Sequence, residues 1–326
     1  MEEYPALAWL AHDISFARLL VVERWLSFLY AGYNSAMVVH LTEIMPAGCV
    51  CADGRCAAAR DGGGMTRRRW IARAVGALLL VLSATPASAD DITVMVSGGF
   101  TAAYNVLVAR WQRATGHHVT TVYGASMGET PTSIPNRLTR GEPADIVILA
   151  RTALDALAKA GRIVSGSETD LVSSRIGMAV KAGSAPPDIS SESRFKQALL
   201  KAESIGYSDS ASGVYISTEL FAKLGIAEAM RGKSKRIDGT PVGEAVATGE
   251  VEIGFQQISE LMPVRGITLV GPIPDSVQLV TTFSAGIVRS SRARDAARQL
   301  IAYLVSPEAR TTIQASGLEP IAAHVP

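Results

Sequence analysis

From Asp90 onward the apolar positions fall into short runs that alternate between two periods. Residues 92–96, 119–123 and 145–150 are β-branched or apolar runs and predict strands, the last of them buried. Between them the spacing predicts helices over 104–115 and 134–140, the second ended by Gly141. A second series follows, with strands over 176–180, 204–207, 251–255 and 281–288. Its helices are predicted over 192–202, 215–224, 292–305 and 307–316, with Pro186-Pro187 and the Gly/Pro-rich stretch 266–274 as punctuation. Strands alternating with helices predict an α/β chain of mostly parallel sheets flanked by helices, long enough for two modest cores.

Upstream of Asp90 the pattern changes. Behind Met65, Arg67-Arg68-Arg69 form a basic cluster, 74–84 an apolar run, and Ala87-Ser88-Ala89 a small-residue cleavage site. That order predicts a secretory signal peptide over 65–89 and export to the periplasm. Its apolar run of about 11 residues is too short for a bilayer core that needs roughly 20. A signal works at an amino terminus, so residues 1–64 are read as a misassigned upstream segment. The alternative is a leading domain with a membrane-associated helix, but Arg18, Glu23 and Arg24 interrupt any continuous span.

Composition shifts once this part is set aside. Cys49, Cys51 and Cys56 all precede Met65, so disulfide and thiol chemistry are not expected after it. Their spacing lacks a fourth ligand for zinc. Eight of 31 Lys and Arg and seven of 30 Asp and Glu lie before Asp90, which leaves the exported part balanced. A nucleic-acid surface would need a clustered basic excess. Nor is there a P-loop, a nucleophile elbow or a metal-spaced His/Asp/Glu set, so no cofactor and no metal are expected.

Open α/β sheets bind ligands outside the carboxyl ends of their strands. Three such junctions are rich in glycine and small hydroxyls. They are Ser97-Gly98-Gly99-Phe100-Thr101, then Gly124-Ala125-Ser126-Met127-Gly128 running on to Thr132-Ser133, and Ser208-Asp209-Ser210-Ala211-Ser212-Gly213. Each alone is readily explained as a helix cap. Three from both halves of the chain favour one anion site built from backbone amides and hydroxyls, without Lys or Arg.

Together with Gly141-Glu142-Pro143-Ala144-Asp145-Ile146-Val147-Ile148, Ser212-Gly213-Val214-Tyr215, Gly254-Phe255-Gln256-Gln257 and Ser306-Pro307-Glu308-Ala309, this order resembles the periplasmic molybdate-binding proteins of ABC importers. The resemblance implies a two-lobed periplasmic-binding-protein fold, each lobe a mostly parallel sheet flanked by helices, with the ligand cleft between. Residues 90–174 with 282–326 would form lobe one and 175–281 lobe two. It also implies a monomer that captures a small oxyanion or organic carboxylate and presents it to an inner-membrane ABC permease.

The ligand residues carried over are Ser97, Gly98, Gly99 and Phe100; Ser126, Thr132 and Ser133; Ser210, Ser212, Gly213, Val214 and Tyr215; and Gln256 and Gln257. Gly99 stands where the family has a serine, Thr132 matches its second-loop serine, and Gln257 replaces a tyrosine. A carboxamide donates and accepts, whereas a phenol reads an oxyanion through one O–H. With the enlarged loop around Met127 and Glu129, these departures suit a larger ligand with carboxylates. Proteins of this shape also resemble aconitate isomerase, which moves a double bond within a tricarboxylic acid. On that alternative Tyr215, Asp209 and Glu129 are the candidates for proton transfer. The histidines His117, His118 and His324 are expected at the surface.

Overall fold

The computed structural model describes residues 89–321; the upstream segment and all of the leader but Ala89 lie outside them. Five strands open the chain: β1 (Asp91–Ser97), β2 (His118–Gly124), β3 (Ile146–Ala150), β4 (Thr169–Lys181) and β5 (Ile205–Ser208). Five more follow: β6 (Ser234–Ile237), β7 (Ile253–Gln257), β8 (Ile267–Pro272), β9 (Val280–Ile287) and β10 (Glu319–Pro320). Their order is β2-β1-β3-β9-β4-β7-β5-β6, with β8 and β10 both added to β4.

Two parallel trios, β2-β1-β3 and β6-β5-β7, form the two halves of this curled sheet. The remaining pairs are antiparallel and run through β4 and β9. Strand β4 changes partners along its length: Thr169–Arg175 pairs with β9, and Ile176–Val180 pairs with β7. One continuous strand thus serves both halves, and each trio sends its carboxyl-end loops toward the other.

Each half has its own core. In the helix Gly98–Thr115, Phe100, Tyr104, Leu107 and Trp111 recur on one stripe and pack on β1 and on the closing helices through Leu300, Leu304 and Ile313. In the other half Ile176, Met178, Phe195, Ile205 and Phe255 are buried together, Phe195 and Phe255 meeting edge to face at 5.9 Å. Strand β3 is buried at every position, as expected where both faces are covered.

Several elements differ from the sequence reading. The first helix starts at Gly98 rather than 104, because strand geometry and core packing at Phe100 override the poor helix propensity of Gly98-Gly99. The third junction likewise turns helical at Ala211 and continues through a π-turn, Ile216–Leu220. The strand predicted over 176–180 extends back to Thr169. Stretch 266–274 holds β8, an irregular partner of β4 that reads as punctuation because of its Gly and Pro. Arg151–Lys159, Val242–Thr248 and the four-residue helix Ile258–Leu261 were not anticipated. His117 is buried, stacked on Trp111 at 5.0 Å, and its Nδ1 accepts from the Asp90 amide. No helix of the described residues is long and apolar enough to cross a membrane.

Truncating the buried aromatic that links β7 to its neighbouring helix tests the second core. Phe255→Ala is expected to destabilise the chain by about 3–5 kcal/mol in urea unfolding. An unchanged midpoint would show that this core contributes little.

Candidate functional site

A cavity of about 340 Å³ lies where the carboxyl-end loops meet. Gly98 comes from the first junction; Tyr123, Gly124, Ala125 and Thr132 come from β2 and its loop; Ser208 ends β5, and Asp209 and Ser210 follow it. The remaining wall is Gly239-Thr240-Pro241 with Gln256 and Glu260, at the ends of β7 and of the short helix after it. Placement outside the carboxyl ends of strands is where open sheets hold ligands.

The choice between helix cap and ligand site can be read from the hydrogen bonds. Ser97, Ser133 and Ser210 occupy N-cap positions, yet none makes a side-chain cap bond to its helix. Ser97 instead accepts from the Ser126 hydroxyl at 2.7 Å, and Ser126 Oγ accepts from the Ala150 amide at 2.9 Å. Nothing from these side chains satisfies the first amides of the 18-residue helix behind Gly98.

Contacts between the two halves frame the cavity. The Ser126 amide donates to Ser210 Oγ at 3.2 Å, and Ser259 Oγ donates to the Gly99 carbonyl at 2.7 Å. Gly128 has φ +99°, and a Cβ there would stand 2.6 Å from the Asp209 carbonyl, so only glycine allows the second and third loops to meet.

Of the residues singled out in the sequence, Gly98, Thr132, Ser210, Gln256 and Asp209 line one cavity. Ser97 and Ser126 stand behind its wall, bonded to each other. Others point elsewhere. Gly99 packs against Phe283, and Phe100 belongs to the core. Ser133 is buried with its hydroxyl unpartnered, while Ser212 shares a bond with Ser208 at 3.1 Å. Gly213 is pressed against the Ser208 backbone, Val214 is exposed, and Glu129 is exposed outside the cavity lining. The Tyr215 hydroxyl is directed into the second core, where it donates to the Val277 carbonyl at 2.7 Å. Gln257 is buried and donates to Thr281 Oγ1 at 3.2 Å, tying β7 to the start of β9.

The cavity lining contains no Lys or Arg. Its acids are Asp209 and Glu260, the second missed in the sequence. Gln256 Nε2 donates to Glu260 Oε1 at 2.9 Å, while Gln256 Oε1 accepts from the Val242 amide at 2.9 Å. Burial pushes the Glu260 carboxyl up to about 7, against the pull of the Gln256 amide, and the nearby Asp209 adds to the rise. Asp209 is also raised, by burial and then by the negative charge of Asp238. In sequence Glu260 is one acid with no motif or period to mark it, because Gln256 lies on β7 and Glu260 on the four-residue helix after it.

A larger cavity, about 600 Å³, lies beside Arg151, Asp170 and Arg298. There the cations are already paired, Arg151 with Asp155 and Asp170, and Arg298 with Asp295. No such convergence of open donors exists there. Among the described residues no group of His, Cys, Asp and Glu could hold a metal ion.

The raised carboxyl has a consequence for stability. In the unfolded chain Glu260 releases its proton near 4.5 and in the folded chain near 7, so stability falls as pH rises through that window. Glu260→Gln removes the loss, and is expected to be more stable than the native chain by up to about 3 kcal/mol at pH 8 and equal to it below about pH 4. Urea unfolding at the two pH values measures this, and equal differences at both would contradict it.

Residues 92–319 match the family described as bacterial extracellular solute-binding protein. The aconitate isomerase of a Pseudomonas species is 44% identical over 255 residues, 77% of this chain and 97% of that protein. A molybdate-binding protein of Azotobacter vinelandii is 28% identical over 254 residues, 76% of this chain and 97% of that protein. The solved structure of the periplasmic molybdate-binding protein from that organism aligns with a TM-score of 0.57 at 18% identity, covering 70% of this chain and 98% of its own. A stretch of 44 residues is 57% identical to the citrate-proton symporter of Klebsiella pneumoniae, 14% of this chain and 10% of that protein. The chain belongs to the bacterial extracellular solute-binding protein family.

Proposed function

We propose that the cleft takes a small tricarboxylic acid and that the chain moves a double bond within it, acting as an aconitate isomerase. The observation that carries this reading is the cavity itself. At about 340 Å³ it has room for a small organic acid, since sites for small molecules run roughly 300–1,000 Å³. Its lining supplies hydroxyls, amides and a carboxamide for carboxylate oxygens, with acids in place of cations. Support for the ligand class comes from the relative named aconitate isomerase, which this chain matches over nearly that whole protein.

Binding and catalysis would use one motion. Lobe one, residues 90–174 with 282–326, and lobe two, residues 175–281, each contribute part of the lining, so a tricarboxylate touches both only in the closed form. That differential contact shifts the open and closed populations. Closure excludes water and holds the acid at fixed distance from a proton-transfer group. The second reading is capture without turnover, in which a periplasmic monomer exported by the 65–89 leader delivers the anion to an ABC permease. The fold of the molybdate-binding proteins favours it.

Incubating the exported part with cis-aconitate and following the isomers by proton NMR separates the two. Appearance of trans-aconitate, with a thermal-shift gain on adding tricarballylate, is the expected result. A thermal-shift gain without isomerisation supports the capture reading. Absence of both removes tricarboxylates from the cleft.

A further inference from the structure

The geometry points to Glu260 as the catalytic acid–base group of this cleft, taking a proton from the substrate's methylene carbon and returning it to the vinylic carbon two bonds away. This rests on the isomerase reading above.

Position is the first argument. Glu260 comes from the short helix after β7 and reaches the start of the first helix, where a Cβ on Gly98 would stand 2.1 Å from Glu260 Oε1. The carboxyl therefore lies at the meeting point of the two halves, beside the uncapped amides of an 18-residue helix. Gln256 occupies Oε1, and Gln256 is itself fixed by the Val242 amide. The Gln257 backbone also hydrogen-bonds the carboxyl, and the proposal gives Oε2 to the substrate.

Among the ion pairs of the described residues none involves Glu260, so its carboxyl stands in the cavity lining with a hydrogen bond from Gln256 and no cation to hold it ionised. The other candidates are placed less well. Tyr215 spends its hydroxyl on the core, Glu129 lies outside the cavity lining, and Asp209 stands on a loop. A carboxyl that titrates near 7 suits removal and return of a proton near neutral pH.

The step balances without a co-reactant. The methylene C–H bond breaks, its proton passes to Oε2, and its electron pair forms a double bond to the central carbon. The original double bond opens, its far carbon takes the proton from Oε2, and Glu260 is again a carboxylate. Nothing is oxidised or reduced. Charge developing in between spreads onto substrate carboxylates that face backbone amides.

The test compares native protein, Glu260→Gln and Asp209→Asn with cis-aconitate in D₂O, and measures tricarballylate binding by calorimetry. Glu260→Gln is expected to lower kcat by about 10²–10⁴-fold and to keep Kd within about threefold. If that variant does not fold, Glu260→Asp, with the carboxyl withdrawn by one methylene, is expected to lower kcat at least tenfold with Kd kept. A Glu260 variant that folds and retains kcat within twofold overturns the assignment, as does a larger kcat loss in Asp209→Asn. Native protein that binds tricarballylate but isomerises nothing overturns the isomerase reading and this role with it.

Discussion

A carboxyl desolvated by the protein around it and paired with no cation holds its proton more tightly than one in water. Glu260 has one side-chain hydrogen bond, from Gln256, and a pKa pushed up to about 7. The rest of the cleft is arranged around that fact. Apart from Asp209 the walls are mainly glycine backbone, hydroxyls and a carboxamide, groups that offer hydrogen bonds without an opposite charge to neutralise the acid. A lysine there would hold a ligand more tightly and would also pull Glu260 out of the neutral range.

The sheet explains how so many loops reach one point. Parallel trios send their carboxyl ends the same way, and the partner switch of β4 between Arg175 and Ile176 sets the two trios with those ends facing. Contact between halves is then made by small groups: Ser126 with Ser210, Ser259 with Gly99, and Gly128 under Asp209. Such contacts are individually modest, near 1 kcal/mol for an ordinary hydrogen bond, so a ligand bridging both halves can decide the balance.

Much of this was legible in the chain before folding. The strand-ending glycine and hydroxyl junctions bring Gly98, Thr132 and Ser210 to one cavity, and the late Gly-Phe-Gln-Gln run brings Gln256 there. What failed was side-chain direction. Tyr215 and Gln257 stand beside the right elements, but one hydroxyl is drawn to the Val277 carbonyl and one amide to Thr281. Direction within a short helix depends on which face meets the core, and that is set by Phe195 and Val277, distant in sequence. Glu260 was invisible for a related reason. Its burial is created by Gly98, far upstream, and a single acid in a four-residue helix has no period to betray it.

The most direct test is a crystal structure of residues 90–326 with tricarballylate, a saturated tricarboxylate that has no double bond to move. The account predicts the ligand between the halves, its carboxylates on the amides beyond Ser97 and on Ser210, and a backbone carbon of the acid within about 3.5 Å of Glu260. Density for the ligand elsewhere, or a Glu260 carboxyl turned away from it, would contradict the central claim.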